Sequence, residues 1–294
     1  MWIPTPYGRY TMSTIGWLFL AVIFSSGVAM TMKTATVKTL ALWPFLAVNY
    51  LVCNLWLLAC GGWRVFLPPS AEVAGLGIFV GVMYVLCLLL FKRSIAAIGL
   101  ALSTTLMRLS AALPTMGSLL IFAEPINAWQ IVGIGLAFAC LPLASHTPLH
   151  VGRAKQVAGG SMIWGILLLI AYGLTDFAFK VQAELIPSAE PRAFMAVIFG
   201  TALLITFPCL FRQNRFDQPC VVWGAVLGTT NMLATFCWIR TLAHLPGSVA
   251  YPSLGLGVIV LATMASLLIW HERLRPANYA FLVLAGVAVL LINV

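Results

Sequence analysis

Arg108 stands near the middle of the run LALSTTLMRLSAALPTMGSLLIF, with mostly apolar residues on either side. A guanidinium that deep in an apolar helix costs about 2.5 kcal/mol or more, so it faces a cavity or a partner. Thr104, Arg108, Ala111 and Thr115 recur at helical spacing and share one small, polar face. Two roles fit. Arg108 clamps a carboxylate or phosphate through paired hydrogen bonds, or it ties two helices together internally. Asp176 is the second such residue. Trp164, Leu168, Tyr172, Asp176 and Lys180 recur every four positions, so one helix face runs aromatic, aromatic, acid, base. Asp176 suits a substrate amine or a coupling proton, because burial favours the protonated carboxyl. The plainer alternative is an intrahelical pair with Lys180. Arg108 and Asp176 could pair with each other, or grip opposite ends of a zwitterion.

Around these two lie aromatics and amides of the kind that line small-molecule pockets. Trp17 shares a face with Ala21, Ser25 and Lys33; Tyr50, Asn54, Tyr84, Asn231, Thr235 and Trp238 lie in other apolar runs. The candidate binding set is Arg108, Asp176, Tyr172, Trp164, Thr104, Trp17, Tyr84, Asn54 and Asn231, with Asp176 as the coupling residue. For each aromatic or amide the structural alternative is an interfacial belt or a helix tie. Glu124 and Glu272 precede the last apolar run of each half, where a carboxylate caps free amides and suits the helix dipole. They are read as structural corners.

Composition decides what holds these residues. The chain is 62% hydrophobic and 8% charged, with 16 basic and 7 acidic residues among 294. An average soluble domain is about a quarter charged. So few charges cannot cover a water-facing surface, and lipid must cover most of the outside. The net charge of +9 is scattered in ones and twos, which fits membrane edges and not a nucleic-acid face. Seven cysteines form no CxxC and no metal-spaced cluster; they read as small buried apolar residues. No HExxH, GxSxG or P-loop is present. No enzyme, cofactor or metal site is expected, and transport by this chain would run on a gradient.

Ten runs suit a membrane-crossing helix of about 20 residues: 13–32, 39–60, 73–91, 97–121, 127–145, 159–180, 193–211, 219–239, 247–270 and 276–293. They are too long and too uniformly apolar for barrel strands, so the expected fold class is an all-α membrane protein. The first run resembles a signal peptide in outline, but it has a counterpart later. TMGSLLIFAE begins at Thr115 and TMASLLIWHE at Thr263, 148 positions on, with seven of ten residues identical. Trp17 and Lys33 are spaced as Trp164 and Lys180 are, 147 positions on. The chain thus reads as two five-helix repeats, 1–147 and 148–294, within one membrane domain. Five is odd, so the second repeat enters the membrane inverted, an arrangement typical of secondary transporters.

The stretches LSTTLMRLSAALPTMGSLLIFAEPINAWQIVGIGLAFACLPLA, SLLIWHERLRPANYAFLVLAGVAVLLI and AYGLTDFAFK resemble the EamA-like branch of the drug/metabolite transporter superfamily. The resemblance covers nearly the whole chain. It places the family's acidic corner at Glu124 and Glu272 and its helix-ending lysine at Lys180 and Lys33. It implies a multi-pass inner- or plasma-membrane transporter working by alternating access, an exporter of amino acids or related small metabolites. A lipid or lipid-linked sugar phosphate flippase is the alternative, and a non-transporting membrane subunit a third class. The expected partners are a small-molecule substrate, the bilayer and a coupling proton, in a monomer or weak dimer. Three features depart from the pattern. The first corner reads Ala-Glu-Pro where the family has Gly-Glu; the second reads His-Glu-Arg; helix 9 carries Pro252 early and no proline matching Pro114.

The two routes to orientation disagree. With the N-terminus cytoplasmic, Arg9, Arg64, Lys180, Arg192 and Arg240 fall inside. Lys33, Lys38, Lys92, Arg93, Arg153, Lys155, Arg212, Arg215, Arg273 and Arg275 fall outside. The positive-inside rule therefore favours both termini outside, whereas the resemblance implies both inside.

Overall fold

The computed structural model describes residues 12–67, 69–98, 103, 106, 107, 109–144, 159–186, 191–210, 217–270 and 276–292. Among the described residues there is no strand, and ten α-helices follow one another. They are α1 Met12–Val37, α2 Leu42–Gly61, α3 Ala71–Ile98, α4 Ala112–Leu120, α5 Ala128–Ala144, α6 Gly159–Leu185, α7 Pro191–Leu210, α8 Gln218–Leu242, α9 Gly247–Trp270 and α10 Pro276–Ile292. A short 3-10 turn, Trp63–Phe66, links α2 to α3. In lipid every backbone group must find a partner inside the protein, and a helix supplies it within one segment. Six of the helices, α1–α3 and α6–α8, are long and apolar enough to cross a membrane among the described residues; Ala128–Cys140, Gly247–Leu261 and Val283–Ile292 are shorter apolar stretches. Large apolar side chains such as Phe19, Leu120, Leu204 and Leu290 lie exposed on the outside, where lipid tails would cover them.

The sequence reads 97–121 as one helix, and the structure divides it. Ser110 and Ala111 form a turn, and α4 begins at Ala112. Pro114 explains the break: it has no N–H, and its ring collides with the carbonyl four residues back, which is that of Ser110. The turn is held instead by a bond from the Leu113 N–H to the Ser110 carbonyl at 3.0 Å and by the Ser110 hydroxyl on the Met107 carbonyl at 2.6 Å. Helix α9 runs on through Pro252. Helix α6 continues to Leu185, one turn past the predicted end at Lys180, and so brings Glu184 into play.

Helices before and after residue 147 interleave. Helix α1 packs on α8 and α9, α2 on α7 and α8, α3 on α6 and α7, α4 on α6 and α9, and α5 on α10. Exchanging α1–α5 with α6–α10 maps this set of contacts onto itself. Two pairs of close approaches repeat in the same way. On α3, an added side-chain carbon at Gly77 would lie 2.8 Å from Val197, and at Gly81 2.6 Å from the Ile198 carbonyl of α7. On α8, 147 positions later, Gly224 would meet Val48 at 2.8 Å and Gly228 the Asn49 carbonyl at 2.5 Å on α2. Small residues four apart let two backbones touch where no aqueous hydrophobic effect drives helices together. The main core, with Phe45, Tyr50, Phe194 and Phe199 fully buried, fills the space between these pairs.

Candidate functional site

Asp176 sits half-buried on α6 among groups from three other helices. Its carboxylate is within electrostatic reach of Tyr84 and Cys87 of α3 and of Tyr251 of α9. The Tyr251 hydroxyl donates to the Asp176 backbone carbonyl at 2.6 Å, and its ring meets Trp238 of α8 edge-on at 5.0 Å. Tyr84 reaches Thr235 of α8, oxygen to oxygen, at 3.4 Å, and its ring lies against Phe179 and Phe199. The Cys87 thiol contacts the Thr175 hydroxyl at 3.6 Å. An acid, two phenols, a thiol and two hydroxyls thus form one polar layer with aromatic walls, contributed by α3, α6, α8 and α9. Such a layer offers a carboxylate to an amine or a proton, hydroxyls to orient a polar solute, and ring faces to hold its apolar part.

One turn further along α6, Lys180 is 1% exposed, among the largest fully buried side chains. It forms ion pairs with Glu124 at 2.6 Å and with Glu184 at 2.5 Å, and its ammonium lies 5.7 Å from the centre of the Phe122 ring. The two Glu124 oxygens accept the first amides of α9, Gly247 N–H at 2.8 Å and Ser248 N–H at 2.9 Å. Burial alone would raise the Glu124 carboxyl; the Lys180 charge, the Lys180 hydrogen bond and the two amides outweigh it and hold it below its usual range. The corner therefore caps a helix in the other half of the chain. Helix α5, which follows Glu124, is capped by a reciprocal pair instead: Asn127 Oδ1 accepts the Gln130 N–H at 2.8 Å, and Gln130 Oε1 accepts the Asn127 N–H at 3.1 Å. Ala123, just before the corner, takes a left-handed φ of 49°, the conformation for which glycine is suited.

Of the sequence-predicted set, the structure brings Tyr84 and Asp176 into one layer. Tyr172 packs at its edge in the cluster of Cys87 and Leu168. Trp164, in the same cluster, lies beneath the Arg93 guanidinium at 5.0 Å. Trp17 meets Phe236 of α8 edge-on at 5.9 Å. The Asn54 amide donates to the Tyr50 carbonyl of its own helix, and Asn231 ties α8 to Asn49 of α2 at 3.4 Å. These last two serve helix geometry in the observed arrangement. Thr104, Arg108 and Glu272 lie outside the described residues, as does the Lys33 side chain. Lys180 turns to Glu124 and Glu184. Tyr251, Cys87 and Thr175 are participants that sequence reasoning missed; Tyr251 sits early in α9, where an aromatic reads as part of an interfacial belt, and Cys87 reads as a small buried apolar residue.

Comparison with known proteins agrees with this architecture. Residues 160–294 match the EamA-like transporter family. An uncharacterized protein of Haemophilus influenzae is 25% identical over 271 residues, which are 89% of this chain and 92% of the relative. The probable 4-amino-4-deoxy-L-arabinose-phosphoundecaprenol flippase subunit ArnE of Shigella flexneri is 29% identical over 85 residues, 28% of this chain and 75% of that protein. A solved crystal structure covers 95% of this chain and 96% of its own with a TM-score of 0.76 at 14% identity, a likeness of fold alone. Residues 160–294 are thus an EamA-like transporter domain, which supports placing the chain in the drug/metabolite transporter superfamily, and the chain is a multi-pass integral protein of the inner membrane.

Proposed function

We propose that this protein is a secondary active transporter that exports a small organic metabolite, an amino acid or related zwitterion or anion, by alternating access. The observation that carries the reading is the Asp176 layer, assembled from α3 on one side of the repeat boundary and α6, α8 and α9 on the other. A carboxylate there takes the substrate amine or a coupling proton. Arg108, on the polar face read from the sequence, takes the anionic end. The repeats 1–147 and 148–294 are related by inversion, and the self-mapping helix contacts support that relation. Rocking of one set of helices against the other exposes the layer to alternate faces.

Reconstitution into proteoliposomes tests this. Counterflow of labelled amino acids should occur with the wild type and fall about tenfold or more in Asp176→Asn and in Arg108→Ala. An undiminished rate in both variants sinks the site assignment. Dependence on an imposed pH gradient that disappears in Asp176→Asn would identify Asp176 as the coupling residue. The likeness to the ArnE subunits favours one alternative, movement of a lipid-linked sugar phosphate with its chain left in the bilayer. Flipping of a labelled polyprenyl phosphate, with no amino-acid counterflow, would select it.

A further inference from the structure

Glu124 belongs to the turn that follows α4, and the α9 amides it binds lie 123 residues further along the chain. Those amides open a helix and have no acceptor within it; the Glu124 carboxylate supplies one to each. Lys180 is held by two carboxylates of different kinds. Glu184 is on its own helix, one turn on, and moves with it; Glu124 comes from elsewhere in the chain. A buried ammonium stripped of its only partner is strongly disfavoured. Here one arm can detach while the other stays, so Lys180 is never left alone. The Ser118 hydroxyl, buried and without a hydrogen-bond partner, stands against Gly247 so closely that a side-chain carbon there would lie 2.1 Å from it. It is a waiting acceptor beside the amides that Glu124 would release. One turn along both helices, Tyr251 of α9 holds the Asp176 carbonyl of α6. The first two turns of α9 thus carry two rungs, one to the corner and one to the polar layer.

We propose that Glu124 is a detachable latch that closes this end of the bundle, with Glu184 keeping Lys180 paired while the latch is open. This rests on the transporter reading above, because only a protein that must open needs a detachable arm. Through Tyr251, release of the α9 first turn also loosens the Asp176 layer, which links occupancy of that layer to the state of the latch.

Hydrogen exchange read by mass spectrometry on the full chain in nanodiscs tests the latch without any substrate. Amides 247 and 248 should exchange about tenfold or more faster in Glu124→Gln than in the wild type, while amides in α2 and α3 keep their rates. Glu184→Gln should do the opposite and slow exchange at 247 and 248, because Lys180 then has Glu124 as its remaining partner. Equal rates in Glu124→Gln and wild type overturn the proposal. So does exchange in Glu184→Gln that equals or exceeds the wild-type rate, which would make the cluster a passive network. If Glu124→Gln does not assemble, the Glu184→Gln comparison decides by itself. A latch that behaves as described in a protein without counterflow would overturn the transporter reading and leave the latch standing; counterflow with no exchange difference would do the reverse.

Discussion

A single backbone angle shows how tightly the corner is specified. Ala123 adopts φ of 49° immediately before Glu124, and a side chain in that region costs about 1–2 kcal/mol relative to the right-handed conformation. The strain turns the chain so that Glu124 points at Lys180 and at the start of α9, and the Glu124 N–H returns to the Ser118 carbonyl at 3.3 Å. The resemblance to the EamA-like pattern places glycine before the corner glutamate, and the geometry supplies the reason. Ala123→Gly should therefore stabilise the protein by about 1 kcal/mol after the entropy lost in the unfolded chain is counted. A thermal melt in detergent should show a higher midpoint for Ala123→Gly; a lower midpoint would mean that the alanine methyl makes contacts worth more than the strain. The type of residue at 123 was legible in the sequence as an oddity. The target of Glu124 was not, because capping of α9 by a residue far away in the chain leaves no local signature.

At the scale of elements, two pairs of glycines set the spacing of four helices. Gly77 and Gly81 let α3 touch α7, and Gly224 and Gly228 let α8 touch α2. The nearest atoms at Gly81 and Gly228 are backbone carbonyls, which cannot rotate away as a side chain end can. Gly81→Ala and Gly228→Ala should each destabilise by about 1–3 kcal/mol through forced separation of the helices. Gly135 and Gly286, with nothing within 4 Å, provide the control: alanine there should be neutral or mildly stabilising, since alanine is the better helix former. Melting midpoints of the four variants check both halves of the statement. The helices themselves were legible from apolar runs, with ends displaced by a few residues. The glycine pairs were present in the sequence as a repeat with a spacing of four, but apolar composition dominates these runs and hides which face carries them. The break at Ser110 and Ala111 was signalled by Pro114. The continuation of α6 to Leu185 was missed because Gln182 and Glu184 look like the end of an apolar run, whereas Gln182 is buried and Glu184 pairs with the buried Lys180.

The whole molecule is two sets of helices threaded through each other, so that few of its principal contacts stay within one half of the chain. The decapeptide and the Trp–Lys spacing point to a duplication, but interleaving was not readable, since sequence similarity says nothing of which half packs on which. The polar layer was half legible for the same reason. Asp176 and Tyr84 announce themselves by type, whereas Tyr251 and Thr235 join them only through the crossing of α8 and α9 over α3 and α6. The account depends on the second repeat being upside-down relative to the first. Ser70, before α3, and Asp217, before α8, are both exposed and stand 147 positions apart, which makes them equivalent under the duplication. Single cysteines placed at each, in a background lacking the native seven, can be labelled in intact spheroplasts and in inverted vesicles with a membrane-impermeant maleimide. The account predicts that the two positions react from opposite sides of the membrane; labelling of both from the same side would contradict it.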